Sequence, residues 1–185
     1  FPQGHSIRIA VSSSYWPLAW PSPRPARLTI YPEHSRLILP VRPPREEDDA
    51  LRPFGPPRMA GSLPMTLLAP ADRRWNVNLD VGSNGVELDL VNNDARYRLD
   101  ETQLEITRDV RETYSYANND YATLRGFVEQ IRRFHRADWS VSTETRTVLS
   151  STETEFVIRA TLDAFEGEAR IFSASWDEKV PRNLV

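Results

Sequence analysis

The chain of 185 residues has no cysteine. That absence removes disulfides, thiolate nucleophiles and Cys-rich zinc sites, and it leaves either redox compartment open. There is also no surplus of one charge: 23 Lys+Arg stand against 26 Asp+Glu, a formal net charge of -3, with both signs interspersed. Without a basic stripe to follow phosphates, nucleic acid is not an expected partner. No apolar run approaches the length that spans a bilayer, so no membrane-crossing helix is expected. The opening Phe1-Pro2-Gln3-Gly4-His5 lacks an initiator Met and the apolar core of a signal peptide. It reads as the start of a fragment of something longer, soluble and of undetermined compartment.

Catalytic signatures are missing too. No G-x-S-x-G elbow occurs, and the one Gly-flanked serine, Ser83 in "GSNG", reads as part of a hairpin turn. His5, His34 and His135 form no H-x-x-x-H or H-E-x-x-H pair and read as ordinary surface or turn histidines. The run Glu46-Glu47-Asp48-Asp49 matches no calcium loop and reads as a solvated face. Asn118-Asn119-Asp120 reads as a turn, because Asn and Asp tolerate left-handed backbone. A glycosidase pair of carboxylates is decided by separation in space, which sequence does not carry. No catalytic residue, cofactor or metal is therefore assigned.

What is present is strand pattern, divided by proline. Fourteen of the fifteen prolines lie at or before Pro70, and only Pro181 follows. The first part is expected to be strands broken by rigid loops, the rest long elements. Within residues 1–41, Ile7, Ile9 and Val11 alternate with polar positions, and "RLTIY" and "RLILPV" give two more short strands. Residues 42–72 hold Pro-Pro and Gly-Pro breakers and a charge run, which predicts a surface excursion pinned by Phe54, Met59, Met65, Leu67 and Leu68. Over residues 73–185 the spacing predicts long antiparallel strands. Trp75, Val77, Leu79 and Val81 turn through "GSNG" into Val86, Leu88 and Leu90, and Asn92-Asn93-Asp94 turns again into "ARYRL" and "QLEITRDV", a four-stranded meander. Trp139, Val141, Thr143 and Thr145 mark another strand, Phe156, Ile158, Ala160 and Leu162 the next, and Glu166-Gly167-Glu168 a turn into "ARIFSASW". In "TLRGFVEQIRRFHR", Phe127, Ile131 and Phe134 fit a helix, while Arg125, Phe127, Glu129 and Ile131 fit a strand face.

The least bland residues are Tyr15, Trp16 and Trp20, set among prolines where neither helix nor strand can bury them regularly. A core role, a platform for sugar stacking and an interface to another domain compete for them.

"FPQGHSIRIAVSSSYWP", through Phe1, Gly4, His5, Ile7, Arg8, Ser13, Ser14 and Pro17, resembles the C-terminal non-catalytic domain of X-Pro dipeptidyl-peptidases and cocaine-esterase-like hydrolases, the CocE/NonD group of acyl esterases. "LPVRPPREEDDALRPFGPP" and the ending from "DWSVSTET" to the Trp176–Arg182 phrase are similar to the same group. The resemblance implies a mainly β, antiparallel jelly-roll or β-sandwich, galactose-binding-like, with its N-terminal edge incomplete. It implies one accessory domain over 1–185, appended to a catalytic α/β-hydrolase domain whose Ser-Asp-His triad lies elsewhere in the parent chain, so that this chain alone should be inactive. Tyr15, Trp16 and Trp20 are then candidates to line the cleft or interface, and Trp176, Pro181 and Arg182 to lock the C-terminal end onto the sheet. The stretch 123–134 leans to strand. The alternative function is a free-standing carbohydrate-binding module. An exposed sheet edge in such a fragment could also support a homo-oligomer.

Overall fold

A computed structural model describes residues 4–24, 26–118 and 120–183, the side chain of Tyr121 excepted. Phe1 of the resembling motif and Asn119 of the expected turn lie outside the described residues. The chain divides into two compact units, residues 1–26 with 64–185 and residues 27–63.

Among the described residues, the larger unit holds one antiparallel sheet of nine strands: β1 (Met65–Ala69), β2 (Asp72–Asp80), β3 (Gly85–Asn93), β4 (Arg96–Leu99), β5 (Leu104–Ala117), β6 (Asp120–Arg136), β7 (Trp139–Ser151), β8 (Glu155–Glu166) and β9 (Ala169–Pro181). More than half of the described residues are in strands, as the alternation of apolar and polar positions requires. The mainly β, antiparallel fold class is thus observed, as an open sheet consistent with a β-sandwich layer.

Register reduces nine strands to seven lines. β1 pairs β4 and β2 pairs β3 in one continuous register, Ala69 opposite Arg96 and Asp72 opposite Asn93. β3 and β4 in turn both face β5, Val91 opposite Arg111 and Tyr97 opposite Ile106, with one extra residue between them. Asn92-Asn93-Asp94 is therefore not the expected turn. β3 continues into β4 in the same direction across a bulge, where the Asn93 side chain accepts from the Val110 N–H at 3.1 Å and the Asp94 N–H donates to the Arg108 carbonyl at 2.9 Å. Side-chain and backbone groups keep the ladder filled, so the chain has no need to reverse. From β5 to β9 each strand pairs with the next.

The ambiguous stretch 123–134 lies in β6, as a strand. Its neighbours settle the choice: β5 and β7 offer unbroken ladders on both sides, and each face of β6 finds the chemistry it carries. Leu124, Val128 and Phe134 share a face with Val110, Leu149 and Ile158, whereas Glu129 and Arg133 face the charged side.

The three expected N-terminal strands are not strands in the structure. Residues 4–14 form no ladder, and Ile7, Ile9 and Val11 are exposed. In the smaller unit, "RLTIY" and "RLILPV" are likewise unpaired, and the regular elements are two 3-10 turns, Pro32–His34 and Glu46–Asp48. A strand exists only through its partner, and no ladder forms beside these segments. The irregular stretch spans 27–63 in this division, with Met65, Leu67 and Leu68 already in β1. Phe54 and Met59 are exposed there instead of serving as pins.

Candidate functional site

The stretch holding Tyr15, Trp16 and Trp20 folds back on itself through a hydrogen bond from the Ala19 N–H to the Tyr15 carbonyl, 2.9 Å, and the Trp16-Pro17 peptide is cis. The two indoles meet edge to face, their centroids 4.7 Å apart. Each also meets the sheet edge-on: Trp16 packs on Tyr114 of β5 at 5.7 Å and Trp20 on Phe156 of β8 at 5.6 Å. Perpendicular packing sets the positive edge of one ring on the negative face of another.

The register of the sheet builds this seat. Tyr114, Gly126, Leu149 and Ile158 form one cross-strand row, and Ser151 pairs with Phe156 in the adjacent row. Gly126 keeps the floor low, since a Cβ there would stand 3.3 Å from Tyr114 Cε1. Tyr114 Oη donates to Glu112 at 2.6 Å. Burial, and then Glu112, push its phenol up to about 12, so it stays a neutral donor.

Ser151 and Arg182 fasten the other end. Trp20 Nε1 donates to the buried Ser151 Oγ at 2.9 Å, and Arg182 Nη1 donates to the same oxygen at 3.0 Å. Arg182 also donates to the carbonyls of Thr152 (3.0 Å) and Pro21 (2.6 Å), and its guanidinium lies 4.8 Å from the Phe156 ring centroid. Burial lowers the Arg182 pKa from its ordinary value. Beneath this arch sits Leu124, 2% exposed.

Two of the three candidate aromatics are thus brought together on the sheet, while Tyr15 remains 67% exposed. A sugar platform presents flat ring faces to water. Trp16 and Trp20 are half-buried against each other and the sheet, whereas Tyr15 and the neighbouring Leu18 stand exposed on the loop.

The wider feature is the sheet's two-facedness. One face carries ion pairs: Arg111 to Asp89 (3.0 Å), Arg133 to Asp109 (3.5 Å), Arg146 to Glu129 (2.7 Å), Arg159 to Asp177 (3.2 Å) and Arg170 to Asp163 (3.3 Å). This is a solvent face, where exposed ion pairs contribute little net stability. The other face is apolar, and beyond the Trp16–Trp20 arch it lies open. Trp75, Val77 and Leu79 of β2 are 74%, 70% and 68% exposed, and Leu67, Phe172, Trp176 and Val180 share that side.

The remaining sequence candidates are dispersed. Ser83 Oγ donates to Asp80 at 2.7 Å, and this bond leads the set that lowers the Asp80 pKa. His5 lies near the chain start, His34 in a 3-10 turn and His135 in β6. Asp48 of the acidic run is held by Arg42. Among the described residues no group of three or more His, Asp or Glu could hold a metal ion. Ser151, Tyr114 and Gly126 escaped sequence reasoning, and Phe156 was read only as a strand position. The available signal was Gly126, the one glycine within the 17 residues of β6.

Residues 1–50 match the family model of the X-Pro dipeptidyl-peptidase C-terminal non-catalytic domain, in agreement with the resemblance carried by the opening motif. No curated protein and no solved structure matches the chain.

Proposed function

We propose that the chain is the accessory domain of an α/β-hydrolase-type serine hydrolase, an acyl esterase or X-Pro dipeptidyl-peptidase, and that it caps the catalytic domain and shapes its substrate cleft. The observation that carries this reading is the open apolar face, with Trp75, Val77 and Leu79 at its rim. The number of large apolar side chains exposed on that one face argues for a protein partner over a small ligand. The match of residues 1–50 to a non-catalytic domain supports the identity of that partner. Tyr15 and Leu18 extend the contact at the loop, with Trp16 and Trp20 holding the loop in position. The sheet would then serve as one layer of a β-sandwich.

The test is the coding sequence upstream of the Phe1 codon. A reading frame that continues into an α/β pattern with a Gly-flanked serine elbow supports the proposal. A start codon or signal sequence directly before Phe1 overturns it, and sugar binding at Tyr15 becomes the reading to assay.

A further inference from the structure

The smaller unit holds one hexapeptide pattern twice: Pro40-Val41-Arg42-Pro43-Pro44-Arg45 and Pro53-Phe54-Gly55-Pro56-Pro57-Arg58. Both copies are exposed throughout and lie in neither helix nor strand. In each, three prolines have φ fixed near −65°. Three residues that precede a proline are pushed toward extended backbone, which together dictates a polyproline II run. With three residues per turn, Pro53 and Pro56 fall on one edge about 9 Å apart, and Arg58 follows at the end of the run. Phe54 stands fully exposed between them, at 105%.

We propose that residues 52–58 are a docking element for a protein domain with an aromatic-lined groove bordered by carboxylates. Prolines held in advance cost little entropy to bind, aromatic grooves take the proline edge, and a carboxylate takes the terminal guanidinium as a forked pair. The two copies differ in charge, and the difference selects the second. In the first, Arg42 Nη1 is held by Asp48 at 2.9 Å, the Arg45 N–H donates to the same carboxylate at 3.2 Å, and Glu46-Glu47-Asp48-Asp49 follow at once. That run repels an acidic rim. The second copy is flanked by Arg52 and Arg58, and no acidic residue occurs from residue 50 to 71. Among the described residues, Pro53 to Arg58 take part in no hydrogen bond or ion pair with the rest of the chain.

The probe is a purified SH3 domain that selects Pro-x-x-Pro-x-Arg ligands, titrated into the 185-residue chain and followed by amide resonances. Shifts confined to residues 50–60 are expected, with an affinity matching that of the free 50–60 peptide. Pro53→Ala with Pro56→Ala, or Arg58→Glu alone, should weaken binding by at least about tenfold, and Pro40→Ala with Pro43→Ala should not. Binding by the peptide but not by the folded chain overturns the proposal. So does binding that follows Pro40 and Pro43, or an unchanged affinity in Arg58→Glu.

Discussion

At the scale of single residues, Trp20 joins two functions that can be separated. Its ring fills the space against Trp16 and Phe156, and its N–H supplies one of two donors to Ser151. Trp20→Phe keeps most of the ring and drops the donor, while Arg182 still donates to Ser151, so a loss of about 1 kcal/mol is expected. Trp20→Ala removes both. The ring is half-buried, so the cost should fall below the roughly 3–5 kcal/mol of a core aromatic, and it should appear locally, as faster amide exchange in residues 13–24 with β5–β8 unchanged. Arg182→Lys is expected to behave like Trp20→Ala in that exchange experiment, because one ammonium cannot reach Ser151, Thr152 and Pro21 with the geometry of the guanidinium fork. Tyr114 gives a pH test. Its pKa is raised from 10.0 to about 12, so the neutral form is favoured in the fold. Its contribution is complete below pH 10.0 and is lost as pH rises through about 12. Urea midpoints measured across that window should fall in the wild type, and this part of the fall should be absent in Tyr114→Phe. The need of Trp16 and Trp20 for a partner was legible in the sequence. The partner was not, because Trp20 and Ser151 stand 131 residues apart and only the register of the sheet joins them.

At the scale of elements, alternation is a local property and pairing is not. β2, β7, β8 and β9 could be read from period-2 spacing, and the hairpin between β2 and β3 from its turn residues. That hairpin closes at residues 81–84, where Asn84 adopts φ 51° and Asp80 accepts from the Gly82 N–H at 2.9 Å and from Ser83. A Cβ at Gly85 would stand 2.8 Å from Ser83 Oγ. Gly85→Ala must therefore displace the Ser83 hydroxyl from Asp80, and a lower thermal midpoint is expected, recovered in part by Ser83→Gly. The passage of β3 into β4 was hidden for the opposite reason. Asn92-Asn93-Asp94 has turn composition, but Asn93 spends its side chain on the Val110 N–H, a bond between residues 17 apart. Ile7, Ile9 and Val11 show the limit in its plainest form: a strand pattern with no ladder beside it stays unpaired.

At the scale of the whole molecule, the two faces of the sheet predict opposite responses to the same kind of substitution. On the charged face, pairs such as Arg146 with Glu129 exchange solvent for each other at little net gain, so Arg146→Ala should leave the thermal midpoint and the solution behaviour almost unaltered. On the apolar face, Trp75, Val77 and Leu79 line the edge strand β2, which has β3 alone as its ladder partner. An apolar edge strand of this kind recruits another chain unless something covers it. The isolated chain is therefore expected to self-associate with rising concentration in sedimentation, and to bind a hydrophobic dye. Trp75→Lys with Val77→Lys should shift it to monomer with its strand circular dichroism intact, because both side chains already face water. If the face docks a catalytic domain, the same pair introduced into the joined hydrolase should separate the domains in limited proteolysis and lower kcat/KM. Monomerisation of the isolated chain without either effect in the joined protein would assign the apolar face to self-association and deny it to the hydrolase.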